Sequence, residues 1–202
     1  LSIGYLASGG HFVGSEEELR GKIERIREDV DMAVFLGAPL IRVFCGEQPE
    51  GAEAQATEIG CLQEACDIAA AKGIIVGLQN HPCTGENMLR LLEQTQRDNF
   101  TLIMDTGQWT GSPTQKQGGP DPNYDTYEFM RQIAAHTSYV RAKFYKIDSG
   151  REEWLDYGRI VDILKEVNYN GAMGIAFEGG TINECDDREV MRRAAAHLHE
   201  LL

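Results

Sequence analysis

The chain has 202 residues, enough to bury the core of one domain. Apolar residues at 42% and charged residues at 25% exclude a disordered chain, and no apolar run approaches the roughly 20 residues that span a bilayer. A formal net charge of −13, with no cluster of Lys and Arg, argues against nucleic acid or an acidic membrane surface as a partner, since both are polyanions.

The chain opens on the strand-like "LSIGYLA" (1–7) with no Met and no signal-like segment, from which we expect that something precedes it. Ser8 and His11 follow. Ser15 and Glu18 then form a capping box, each side chain satisfying an orphan backbone N–H. Leu19, Ile23, Ile26, Val30 and Ala33 make one apolar helix face, which Gly37 ends. The strand "LIRVFCG" (40–46) breaks at Cys45, Gly46 and Glu47. A second helix over 53–72 carries Ile59, Leu62, Cys66 and Ala69 and stops at Gly73.

"GIIVGLQN" (73–80) is the third strand, ending in Gln79, Asn80 and His81, and Thr84 caps a helix with Met88, Leu91 and Leu92. "FTLIMDTG" (100–107) delivers Asp105 and Gln108. The segment 106–125, rich in Gly, Pro and polar residues, reads as an active-site lid. A helix at 124–135 leads to the strand "YVRAKFY" (139–145), in which Arg141 and Lys143 share a face by period two. A helix at 157–167, the strand "GAMGIAFEG" (171–179) closing on Glu178, and a helix at 187–201 complete the chain.

Six strand–helix units without a hairpin signal predict a parallel α/β sheet. In such folds chemistry sits at the carboxyl ends of the strands, and polar residues gather there on nearly every strand. Each has a plainer reading: Asp105 as a turn cap, His81 as a packed loop residue, Glu178 as plain loop. Arg141 and Lys143 would be costly facing outward under helices, so they are expected to point inward. His136, His197 and His199 read as surface residues. Five cysteines without a C-x-x-C pair read as small apolar residues of a reducing compartment, hence a cytoplasmic location.

The order of strand ends resembles the xylose isomerase-like TIM barrels, the superfamily of sugar phosphate isomerase/epimerase-like and endonuclease IV-like proteins. "LQNH", "DTGQ", "VRAKF" and "GAMGIAFEGG" are similar to that family's four metal-bearing strand ends, and 155–179 to its final helix and strand. The resemblance implies a TIM (β/α)8 barrel apparently lacking its first two βα units, on the order of 60 residues of a typical ~250-residue barrel. Residues 1–202 would then be a single partial TIM-barrel domain. Six of eight strands do not close such a barrel, so a homo-oligomer or a partner chain is expected to cover the edge.

The resemblance also implies a divalent cation held by Glu, Asp, His and Glu. Position by position this chain offers Gln79, Asp105, Arg141 and Ala176, with Gln108 in place of a further His. Asp105 alone remains as a charged ligand, with Glu178 near enough by strand parity to rescue a weak site. No cofactor is therefore expected beyond a weakly held Mn, Mg, Co or Zn ion.

The reading that follows is a sugar (phosphate) isomerase/epimerase-like protein with a degraded metal site, moving a proton beside a carbonyl of a small carbohydrate. Glu178, Arg141 and Lys143 are its catalytic candidates, and Gln79, His81, Gln108, Glu47 and His11 its substrate-binding candidates. One alternative is a non-catalytic sugar-binding or complex-forming subunit on the same barrel. A remote one is an endonuclease IV-like phosphodiesterase, which the acidic charge opposes.

Overall fold

The computed structural model describes residues 2–114 and 118–202. Leu1 of the expected first strand and 115–117 of the expected lid lie outside the described residues. Six strands alternate with six α-helices among the described residues. The chain divides into two compact units, Leu1–Ile103 and Met104–Leu202.

The first unit runs β1 (Leu6–Ala7), α1 (Glu16–Leu36), β2 (Leu40–Cys45), α2 (Ala52–Ala70), β3 (Ile75–Asn80), α3 (Gly85–Thr95) and the first residues of β4 (Phe100–Asp105). Its strands stand in chain order and pair in parallel, with Leu40 opposite Ile75 and Cys45 opposite Asn80, then Val76 opposite Phe100. Helix α1 starts where the sequence predicts: Ser15 and Glu18 close both halves of the capping box, and Gly37 ends the helix at φ 70°. Its buried face is Leu19, Ile23, Ile26, Val30 and Ala33, joined by Asp29. That carboxylate is satisfied by the Ser8 hydroxyl and, at 3.1 Å, by Arg25 Nε.

β1 is shorter than the expected strand at 1–7. Only Leu6 and Ala7 pair, with Ile41 and Arg42, while Ser2 to Gly4 are exposed. A strand with one neighbour and a glycine in its path gains few ladder bonds. Cys45, Cys61, Cys66 and Cys83 are buried free thiols, and burial pushes Cys66 up to about 12. Glu58 of α2 is buried against Arg90 of α3 at 2.9 Å.

The second unit holds the end of β4, α4 (Thr126–Ile133), β5 (Thr137–Phe144), α5 (Tyr157–Glu166), β6 (Ala172–Phe177) and α6 (Asp187–Leu201). β5 and β6 pair in parallel from Tyr139 opposite Ala172 to Phe144 opposite Phe177. The Thr106 N–H donates to the Arg141 carbonyl at 3.0 Å, extending the ladder from the end of β4. Asp125, Asp156 and Asp186 cap the three helices with their side chains. Helix α4 is shorter than predicted because Asp125 is its cap and its last turn tightens to a 3₁₀ helix at Ala134–His136.

His197 departs from its expected surface place. It is buried at 8% exposure, edge-on to Phe144 and Tyr157, and burial holds its imidazole below the ordinary range. Among the described residues no helix is long and apolar enough to cross a membrane.

Candidate active site

In the first unit, Arg42 and Phe44 share a face of β2, in register with Gly77 and Gln79 of β3. The Arg42 guanidinium lies 3.9 Å above the Phe44 ring and donates to Gln79 Oε1 at 3.2 Å. Gln79 is fully buried, whereas His81, one residue past β3, is exposed and sets its ring 4.6 Å from that of Phe44.

His11 reaches the end of β2 because residue 46 is glycine: a Cβ there would lie 2.4 Å from His11 Nε2. That nitrogen is buried without a hydrogen-bond partner among the described residues. Burial, then Lys22 and His81, hold the His11 imidazole below its ordinary range. Glu47 is exposed just beyond β2. This unit thus brings His11 and His81 to the end of a short stack that runs down through Phe44 to Arg42 and Gln79.

The second unit gathers the charges. Arg141 and Lys143 both reach Asp105 Oδ2, Arg141 Nη1 at 3.1 Å and Lys143 Nζ at 3.3 Å. Lys143 Nζ also makes a short contact to Glu178 Oε1, and Gln108 Nε2 donates to Glu178 Oε2 at 3.0 Å. Asp105 and Lys143 have no exposed side-chain surface, Arg141 has 22% and Glu178 44%. Burial pushes the Asp105 carboxyl above its ordinary range, while Lys143, Arg141 and the Gly107 N–H pull the other way.

The backbone that presents these groups is itself tied down. The Gly107 N–H donates to Asp105 Oδ1 at 3.0 Å, and the Tyr145 hydroxyl donates to the Gly107 carbonyl at 2.7 Å. A Cβ on residue 107 would lie 2.6 Å from Lys143 Cγ and 2.7 Å from that hydroxyl, so the turn accepts only glycine as it stands. Beneath, the Tyr157 hydroxyl donates to the Lys143 carbonyl at 2.6 Å and lies 3.2 Å from Thr106 Oγ1, which accepts the Lys143 N–H at 2.9 Å. The sequence reading missed Tyr145 and Tyr157. Period two from Arg141 and Lys143 selects Tyr145 directly, whereas nothing in local spacing marks Tyr157.

The inward direction expected for Arg141 and Lys143 is the one found. The cation implied by the resemblance does not fit these residues. Such an ion needs several free oxygen or imidazole ligands, but Asp105 and Glu178 are bridged by an ammonium and Asp105 also meets a guanidinium. Among the described residues no group of three or more His, Cys, Asp and Glu side chains is placed to hold a metal ion.

Parallel strands in chain order, alternating with helices and carrying polar groups at their ends, define an α/β chain. The chain belongs to the xylose isomerase-like TIM barrel family, whose model matches residues 1–201. Solved structures share the fold at low identity. A sugar phosphate isomerase/epimerase from Parabacteroides distasonis is 17% identical, with TM-score 0.72, over 98% of this chain and 70% of its own. A D-allulose 3-epimerase from Methylomonas sp. is 19% identical, with TM-score 0.69, over 94% and 72%. A xylose isomerase-like TIM barrel protein from Mycobacterium smegmatis, solved in complex with magnesium, is 14% identical, with TM-score 0.66, over 98% and 74%. No curated protein is a significant match in sequence.

Proposed function

We propose that the protein is a sugar isomerase/epimerase-like enzyme that acts on a small carbohydrate and carries a degraded divalent-metal site. One observation supports this most: Glu178, a half-exposed carboxylate, is held by Gln108 and by Lys143, whose ammonium shares Asp105 Oδ2 with the partly exposed Arg141 guanidinium. A base next to a cation is what proton abstraction beside a carbonyl requires. The base takes the proton, and the cation stabilises the oxygen that becomes negative.

In this reading Glu178 removes the proton from the carbon beside the carbonyl and returns it, on the same face, to the neighbouring carbon. Arg141 meets the enediolate oxygen. Lys143, fully buried, acts by holding Glu178 in place. Gln108, Gln79, His81, His11 and Glu47 are candidates for the sugar hydroxyls.

The test is wash-in of deuterium from D2O at the carbon beside the carbonyl, followed by NMR across a panel of ketoses, aldoses and their phosphates. Wash-in by the wild type that Glu178→Gln abolishes is expected, and no exchange on any member of the panel would defeat the reading. A second reading, a sugar-binding subunit without turnover, is favoured by the mutual pairing of the charged groups. It predicts thermal stabilisation by a sugar with no exchange.

The expected oligomer or partner chain has support in the exposed apolar side chains Met32, Phe35 and Leu36 near the end of α1, with Phe35 83% exposed. Light scattering across a concentration series checks it.

A further inference from the structure

Apart from the charged strand ends, the second unit holds a cleft of about 490 Å3 where segment 151–158 meets Tyr127 of α4 and the last turns of α6. That volume falls among small-molecule sites, which span roughly 300–1,000 Å3. Asp105, Arg141, Lys143 and Glu178 do not line it. Two aromatic residues do, Tyr127 and Trp154, both half-buried. One face of the Trp154 indole stacks on Tyr145 with 5.7 Å between ring centroids, so a ligand meets that ring through the face or edge that remains. His197 lines the cleft from α6 at 8% exposure, and its Nδ1 is buried without a hydrogen-bond partner among the described residues. A buried polar atom left alone in this way is costly.

The polar groups of the cleft are of both kinds. The Tyr127 hydroxyl accepts the Asp156 N–H at 2.8 Å and keeps its own proton to donate. The Arg151 guanidinium, 72% exposed, spends one nitrogen on Glu200 at 3.4 Å and carries further N–H groups. Two acids stand against these donors. Glu153 Oε1 accepts the Ser149 N–H at 3.1 Å and Asp156 Oδ1 accepts the Arg159 N–H at 3.0 Å, and the second oxygen of each has no hydrogen bond among the described residues. An ammonium ligand only donates and would meet Arg151, whereas a phosphate chiefly accepts and would meet Glu153 and Asp156. A hydroxyl does both.

We propose that this cleft is a second binding site, for a small neutral polyhydroxylated ligand such as a monosaccharide or disaccharide. Its hydroxyls accept from Arg151 and Tyr127 and donate to Glu153 and Asp156, and its apolar C–H face covers the Trp154 ring. The ligand class is read from the lining of the cleft alone, and no step of the functional reading above enters it.

The chain has two tryptophans, Trp109 and Trp154, so protein labelled with fluorotryptophan gives two fluorine resonances by NMR, which Trp154→Phe assigns. The labelled wild type is to be titrated with a panel of neutral mono- and disaccharides, with putrescine and with inorganic phosphate. At least one sugar should move the Trp154 resonance saturably. Glu153→Gln, a change at an exposed position, should weaken that binding about fivefold or more by removing a charged acceptor. No saturable shift with any neutral sugar would overturn the inference. So would a tighter response to putrescine or phosphate than to any sugar, or an unchanged affinity in Glu153→Gln. The readout needs no turnover, so these outcomes are distinct from a failure of deuterium wash-in at the charged strand ends.

Discussion

At the strand ends of the first unit, polar side chains lean on aromatic rings and amides: Arg42 lies over Phe44 and bonds Gln79, and His81 meets the same ring. The second unit instead sets full charges in direct contact, two acids against two bases, with Lys143 and Asp105 shut off from solvent. The first arrangement tolerates change, since a stacked or amide-bonded group loses only a fraction of its interactions when a neighbour goes. The second does not, because Lys143 and Asp105 are both shut off from solvent and losing one strips the other of a buried partner. The units differ in how far each part can be altered alone, and mutations can put figures on that difference.

The largest effect should come from the centre of the charged set. Lys143→Met leaves Asp105 without its buried ammonium and should cost about 3–5 kcal/mol in urea unfolding. Arg90→Met, which leaves Glu58 of the first unit without its partner, should cost less because Arg90 is 17% exposed and water reaches the pair. Equal losses would erase the contrast between the units.

Next comes pH. Burial pushes Glu152 of the second unit from the ordinary 4.5 up to about 7, against N–H donors from Tyr145 and Trp154. The folded state therefore holds a proton that the unfolded state has released between those values. The stability this proton contributes is fully present below about pH 4.5 and is lost as pH rises through about 7, at most about 3 kcal/mol by linkage. Subtracting the pH profile of Glu152→Gln isolates it. The slope across that window is the quantity to read, since the amide also offsets the absolute stability by disturbing an N–H acceptor.

Tyr157→Phe should cost about 1–3 kcal/mol, because the Lys143 carbonyl loses its buried donor. If Tyr157 also positions Lys143, deuterium wash-in should fall while the KM for the sugar holds steady. Smallest is Ser15→Ala in the first unit, which removes half a capping box at an exposed helix start and should cost about 1 kcal/mol.

Much of the fold was legible because its signals are local. Ser15 and Glu18 lie three residues apart, and the apolar face of α1 recurs at helical spacing, so the chain announces that helix without help from tertiary contacts. Period two likewise placed Arg141 and Lys143 on one face, and strand parity placed Glu178 toward Asp105. Depth was not legible. Alternation says that Lys143 points inward, but not that it ends fully buried between two acids, since that depends on Gly107 and on the length of the Glu178 side chain. His197 was misread for the same reason: its helix position permits either face, and its burial is set by Phe144 and Tyr157. The short β1 shows the reverse limit, an apolar run that finds one neighbour and pairs over two residues.

The hydrogen atom that serves as the side chain of Gly107 carries a consequence out of proportion to its size. A single methyl there would add no charge and remove no hydrogen-bonding group, yet it would overlap the stem of Lys143 and the Tyr145 hydroxyl. An electrostatic arrangement can thus be undone by shape alone, and in this turn the smallest residue guards the heaviest concentration of charge.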